Sequence, residues 1–387
     1  SYIRVLYAMW LVRTVLSYLL TYRKSLLIAD QKEYIASITG LILNVVSYLA
    51  IILLVTWEQN YLLALGIGTV TEVVLNIWIS WYVEQKYPFL RQRRKEKSTS
   101  SLTKRIVRDL KSLFISRISE KMLYCTDNLI ISGFIGVGTV GRYANYCMIT
   151  QAISNILTIL ANTIQPTVGD YFTEKNRQRN YEILRQLTFG FFCIASVVSV
   201  GLFSLITPFV RDIWLGPSYE LGWGITVFCI VVLLVRIMGL PLSLVMGVTG
   251  LFEKEKNVGA SSALLNLIVS LALVKPYGMA GVLLGTLLSY LLQILYRYII
   301  YFRDFLEMPG EALRYAQDIG EYLAVIAGEV LLMQKIVPLI YGAGGMLLFC
   351  VCFLLCIAIP LLLDLVIFGR GWRLQSIVTM VKGMRKA

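Results

Sequence analysis

The chain of 387 residues contains no histidine. That removes the commonest general base and the commonest metal ligand. Charge is scarce: 15% of residues are Asp, Glu, Lys or Arg, against about 25% in an ordinary soluble protein. Acid is scarcer than base, 23 residues against 36. The seven cysteines (Cys125, Cys147, Cys193, Cys229, Cys350, Cys352 and Cys356) all sit in apolar stretches. An odd count in such surroundings argues against a disulfide framework. Cys350, Cys352 and Cys356 have no acid near them before Asp364, so they read as small core hydrophobes rather than ligands. These absences leave no catalytic residue, no metal site and no cofactor to assign.

What is present is apolar sequence: 57% hydrophobic residues and a mean hydropathy of +0.71. A helix needs about 20 apolar residues to cross a hydrocarbon core. Eleven stretches fit, near 2–22, 34–55, 61–83, 112–136, 143–165, 187–208, 224–248, 258–274, 279–301, 317–337 and 345–368. The expected class is an all-α polytopic membrane protein with about eleven transmembrane helices.

The net charge of +13 invites a nucleic-acid reading, which its distribution opposes. The connections 23–33, 84–111, 166–186, 249–257, 302–316 and 369–387 carry 26 Lys and Arg. The opposite connections carry three: Arg142, Arg211 and Lys275. This is a positive-inside bias, so the basic ends are expected in the cytoplasm, facing anionic lipid. A cytoplasmic tail after eleven crossings puts Ser1 outside. The simplest expectation is an upstream piece with an odd number of spans.

One segment breaks the apolar pattern. Residues 84–111 hold ten basic and three acidic residues. Leu102, Ile106, Leu110 and Leu113 recur there at helical spacing, which predicts an amphipathic helix on the inner leaflet. The tail repeats this with Leu374, Ile377, Val378 and Val381. The first three spans also echo the seventh to ninth. Leu11-Val12-Arg13 matches Leu234-Val235-Arg236, Lys32 precedes Asn44 as Lys254 precedes Asn266, and Gly68-Thr69 matches Gly285-Thr286. Both arginines lie on spans running outside to inside, so the repeat is parallel, as in transporters of two like halves.

Ionisable groups at bilayer depth are costly and usually face a wet cavity or a partner. Arg13 and Arg236 lie near mid-span, as does Glu72. Arg117, Glu120, Lys121, Asp127 and Asn128 form one polar stripe. Two readings stay open. In one, Arg13, Arg117, Lys121 and Arg236 line a cavity that binds an anion, because guanidinium forks suit phosphate oxygens. In the other, cations pair with neighbouring acids: Arg117 with Glu120, Lys121 with Asp127, Arg13 with Glu72. Pro241 follows Arg236 by five residues and predicts a bend, a candidate gate.

YRKSLLIADQKEYI (22–35), TDNLIISGFIG (126–136), GRYANY (141–146) and NLIVSLALVKPYGMAGVLLGTLLS (266–289) resemble the Wzx-type polysaccharide flippases of the multidrug/oligosaccharidyl-lipid/polysaccharide exporter superfamily. WLGPSY (214–219) is a looser match. The resemblance implies a two-lobe exporter fold, here lacking the first three helices. Residues 1–83 would be the last three helices of the N-terminal lobe, and 84–111 a cytoplasmic basic linker with its amphipathic helix. Residues 112–303 would be a complete six-helix C-terminal lobe, 317–368 a terminal helix pair, and 369–387 a cytoplasmic basic tail. It implies no enzyme and no cofactor. The implied activity is export of undecaprenyl-pyrophosphate-linked oligosaccharide across the bacterial plasma membrane by alternating access. The implied partners are the lipid-linked oligosaccharide and anionic lipid, not nucleic acid, and a polysaccharide polymerase is compatible with them. Two competing functions follow from the same residues. A cation-coupled multidrug antiporter of that superfamily would use mid-span acids, for which Glu72 and Asp127 qualify. A membrane glycan polymerase or ligase would need a large outer loop, and the longest, near 209–223, offers little room.

Overall fold

The computed structural model describes residues 2–18, 21–30, 32–58, 61–88, 125–172, 176–342 and 344–369. Every regular element among them is helical. In order these are α1 (Tyr2–Tyr18), α2 (Lys24–Ala29), α3 (Glu33–Glu58) and α4 (Tyr61–Lys86), then α5, described over 125–134. There follow α6 (Val137–Tyr171), α7 (Arg177–Pro208), α8 (Trp223–Val248), α9 (Phe252–Tyr277), α10 (Met279–Ile299), α11 (Pro309–Tyr341) and α12 (Met346–Phe368). Nine of the described helices, α3, α4 and α6–α12, are long and apolar enough to cross a membrane. α1 and α5 occupy the remaining two expected spans, α1 at 17 residues. Lipid offers backbone groups no partner, so helices that bond internally are the expected solution.

The structure lengthens several spans. α7 and α11 begin ten and eight residues before the apolar stretches that predict them, at the basic end, and α6 outruns its stretch by six residues at each end. Residues 209–223, read above as an outer loop, begin instead with a wide π-helical continuation of α7, Phe209–Trp214. A second π-helical segment, Ile300–Leu306, extends α10, and a turn with Glu307 at φ 52° leads into α11. The expected amphipathic helix near 102–113 and the tail 370–387 lie outside the described residues.

The chain divides into two compact units, residues 1–100 and 101–387. In the first, α1 and α3 both pack on α4. Leu27 of α2 is buried with Ala36, Ile79 and Val83. Polar contacts pin this end. Arg23 reaches Glu84 at 2.5 Å, Tyr87 donates to Asp30 at 2.6 Å, and Lys32 also pairs with Asp30. Lys32 and then Tyr87 hold the Asp30 carboxyl below its usual range, and Asp30 in turn raises the Tyr87 phenol.

In the second unit α7 is the central helix, packed by α8, α11 and α12. α12 offers it a stripe repeating every four residues, Cys352, Cys356, Pro360, Asp364 and Phe368, all buried, as one face of a helix requires. The contacts form layers along α7. At the basic-loop end Arg185 holds Asp318 of α11 through two bonds of 2.6 and 3.0 Å. Next comes an aromatic layer in which Phe192 stacks on Tyr322 at 4.4 Å and Phe368 packs edge-on against both. Beyond it Ser196 bonds Glu329. At the far end Tyr341 donates to Asp212 at 3.1 Å.

Candidate functional site

Helices α9 and α10 form a tight antiparallel hairpin. They meet at Gly278 alone, whose φ of 57° and ψ of −134° suit glycine. On α10, Gly281 and Gly285 are the two glycines of a small-xxx-small pair. A Cβ on Gly281 would collide with the Leu273 carbonyl, and one on Gly285 with the Ser270 hydroxyl. Glycine therefore allows the backbones their close approach, the usual device where lipid supplies no hydrophobic drive.

That approach builds a polar cluster inside an apolar bundle. Thr286 Oγ1 donates to Asp127 Oδ2 at 2.7 Å, and Asn266 Nδ2 donates to Thr286 Oγ1 at 2.8 Å. Ser270 donates to the Val282 carbonyl at 3.2 Å. Asp127, Asn266, Ser270 and Thr286 are all buried. Asp127 Oδ1 and Asn266 Oδ1 receive no hydrogen bond from the described residues. The site is thus rich in acceptor oxygen and holds one carboxylate. That chemistry suits a proton or a small hard cation. No group of three or more Cys, Asp or Glu able to hold a metal occurs among the described residues.

The structure brings together only some of the residues singled out from sequence. Asp127 faces Thr286 and Asn266. Arg117 and Lys121, its expected stripe partners, lie outside the described residues. In the first unit Arg13 lies over Gly68, where a Cβ would stand 2.8 Å from Nη1. It also reaches Glu72 at 3.6 Å, with both side chains more than a third exposed (35% and 37%). In the second unit Arg236 lies over the Tyr290 ring, 5.4 Å from its centroid. So each arginine is laid on the third helix of its trio, Arg13 on the matching glycine itself and Arg236 about one turn past it. Pro241 is buried within α8, which remains helical through it. Sequence reasoning noted Asn266 and Thr286 only as marks of a repeat. The signal available was an Asn and a Ser four apart on α9, facing a Gly-x-x-x-Gly on α10.

An all-α bundle of long apolar helices, with a buried acidic cluster between them, defines a polytopic membrane protein. Two comparisons make the class more particular. Residues 1–172 match the family model described as "Polysaccharide biosynthesis protein". The fold is similar to the solved structure titled "Lipid II flippase MurJ, inward closed conformation", with a TM-score of 0.65 and 15% identity. The match covers 91% of this chain and 71% of that one. No curated protein sequence matches the chain. The family match covers residues 1–172, and the structural likeness, at 15% identity, is one of fold.

Proposed function

We propose that this protein exports an undecaprenyl-pyrophosphate-linked oligosaccharide across the bacterial plasma membrane by alternating access, for assembly of cell-surface polysaccharide. The observation that carries the reading is the placement of Arg236 within a span, packed over Tyr290. A guanidinium there offers a planar fork to a pyrophosphate. Arg13 holds the matching sequence position in the first unit, where it pairs with Glu72. An inside-negative potential favours outward movement of an anionic headgroup by about 2.3 kcal/mol per charge per 100 mV. No nucleotide hydrolysis is required for direction.

The test substitutes Arg236 by Lys, Ala and Glu in a flippase-deficient strain. It measures both membrane abundance and complementation of polymer export. Normal abundance, with export falling in the order Arg, Lys, Ala, Glu, supports the headgroup role, because Lys keeps the charge and loses the fork. Normal export from Arg236→Ala, or export lost only with the protein, ends it.

A second reading, a cation-coupled antiporter, is favoured by one observation: the buried, acceptor-rich surroundings of Asp127. It requires that Asp127→Asn abolish ion-driven transport of an organic cation. Loss of polymer export alone would leave the flippase reading in place.

A further inference from the structure

The second unit also holds a pair of buried acids on its last two helices. Glu329 of α11 and Asp364 of α12 are 2% and 4% exposed. Both face Ser196 of α7, which is fully buried. The Ser196 hydroxyl donates to Glu329 Oε2 at 2.6 Å. Glu329 Oε1 and both oxygens of Asp364 receive no hydrogen bond from the described residues. The titratable groups that face Asp364 are Glu329 and, on α7, Cys193, which feels both acids. No Lys or Arg is among those groups. The nearest guanidinium along α7, Arg185, is already engaged by Asp318. Between them stands the aromatic layer of Phe189, Phe192, Tyr322 and Phe368, which shuts the acids off from the basic-loop end.

Two ionised carboxylates offer acceptors only, so they cannot bond each other. In an apolar bundle they also repel, and neither is easily ionised. A proton removes both difficulties. It turns one acid into a donor and removes one of the two facing charges. A divalent cation is the weaker occupant, since two carboxylates and one hydroxyl fall short of the roughly six or more oxygens it takes.

We propose that Glu329 and Asp364 form a proton-binding site, the two carboxylates sharing one proton around Ser196 and so holding α11 and α12 together beside α7. The proton comes from water and returns to it, and no other bond is made or broken. When it leaves, like charges face each other across the joint. The α7-facing stripe of α12, Cys352 and Cys356 included, then opens.

The test uses the full chain in lipid nanodiscs, with Glu329→Gln, Asp364→Asn and the double variant, which keep shape and remove charge. Infrared difference spectra at neutral pH should show a protonated-carboxyl C=O band in the wild type. The band should shift in each single variant, vanish in the double variant and persist in Asp127→Asn. Raising the pH should bleach it, and sodium or potassium should not. At the same alkaline pH, Cys352 and Cys356 should react with a thiol reagent severalfold faster in the wild type than in Asp364→Asn. Comparison at one pH cancels the rise in thiolate. If the double variant is not produced, the band shifts of the single variants decide. Absence of a band removed with these acids, its displacement by a monovalent cation, or equal thiol rates would overturn the proposal.

Discussion

Thr286→Val tests whether the α9–α10 hairpin and Asp127 are joined by one hydroxyl. Valine keeps the branched shape and removes the oxygen that donates to Asp127 and accepts from Asn266. Interhelical hydrogen bonds in membrane bundles average about 0.6 kcal/mol and reach about 1.7, so two of them contribute roughly 1–2 kcal/mol. Loss of the donor leaves a second Asp127 oxygen unfilled, and an unsatisfied buried group costs about 1–3 kcal/mol. Because that cost overlaps with the lost bonds, the net expectation is about 2 kcal/mol. The hydroxyl has one local alternative, the Val282 carbonyl at 3.4 Å, too long to matter much. Unfolding in mixed detergent micelles, followed by circular dichroism, measures the loss. A cycle with Asp127→Ala isolates the coupling, expected within about 0.5–3 kcal/mol for residues in one network. If Thr286→Val lies within about 0.5 kcal/mol of the wild type, or if the two substitutions add, the hydroxyl is not the joint.

Three further outcomes follow. Gly281→Val drives a side chain into the Leu273 carbonyl and should cost about 1–3 kcal/mol by overpacking, read as a lower melting temperature in detergent; an unchanged melt refutes the close approach. Asp318→Ala removes both bonds to Arg185 and should cost about 1–3 kcal/mol. The double variant Arg185→Met with Asp318→Leu should recover most of that in the same melt. Asp30, held below the usual carboxylate range by Lys32 and Tyr87, stabilises the folded chain above that range. The stabilisation fades as pH falls through its folded value. Asp30→Asn should therefore lower the melting temperature at neutral pH and not in acid.

The spans were legible because lipid leaves the backbone one solution and apolar length marks it. Helix ends were less so. Where α7 and α11 pass the apolar stretch, their polar turns are held by Arg185 and Asp318, a pairing 133 residues apart. The site was half legible. Asp127 stood out as an acid at bilayer depth, and Arg13 with Glu72 was readable as a pair. Asn266 and Thr286 were visible only as matched positions, because nothing local says that α5 packs where α9 and α10 meet. Glu329 was missed altogether. It is one of three acids in the stretch 317–337, and its meaning depends on α12 bringing Asp364 beside the same serine of α7.

The single-residue connection at Gly278 bears on how the protein is made. Asn266 and Thr286, which bond across the hairpin, are 20 residues apart. Closing so short a loop loses little chain entropy. The hairpin can therefore pack as soon as α10 leaves the ribosome, before α11 and α12 exist. Asn266 and Thr286 then enter lipid already bonded to each other. Asp127, 159 residues upstream of Thr286, waits in the bilayer for the hairpin to arrive. A nascent chain that cannot zip α9 to α10 leaves the Asp127 carboxylate in the membrane without its Thr286 partner.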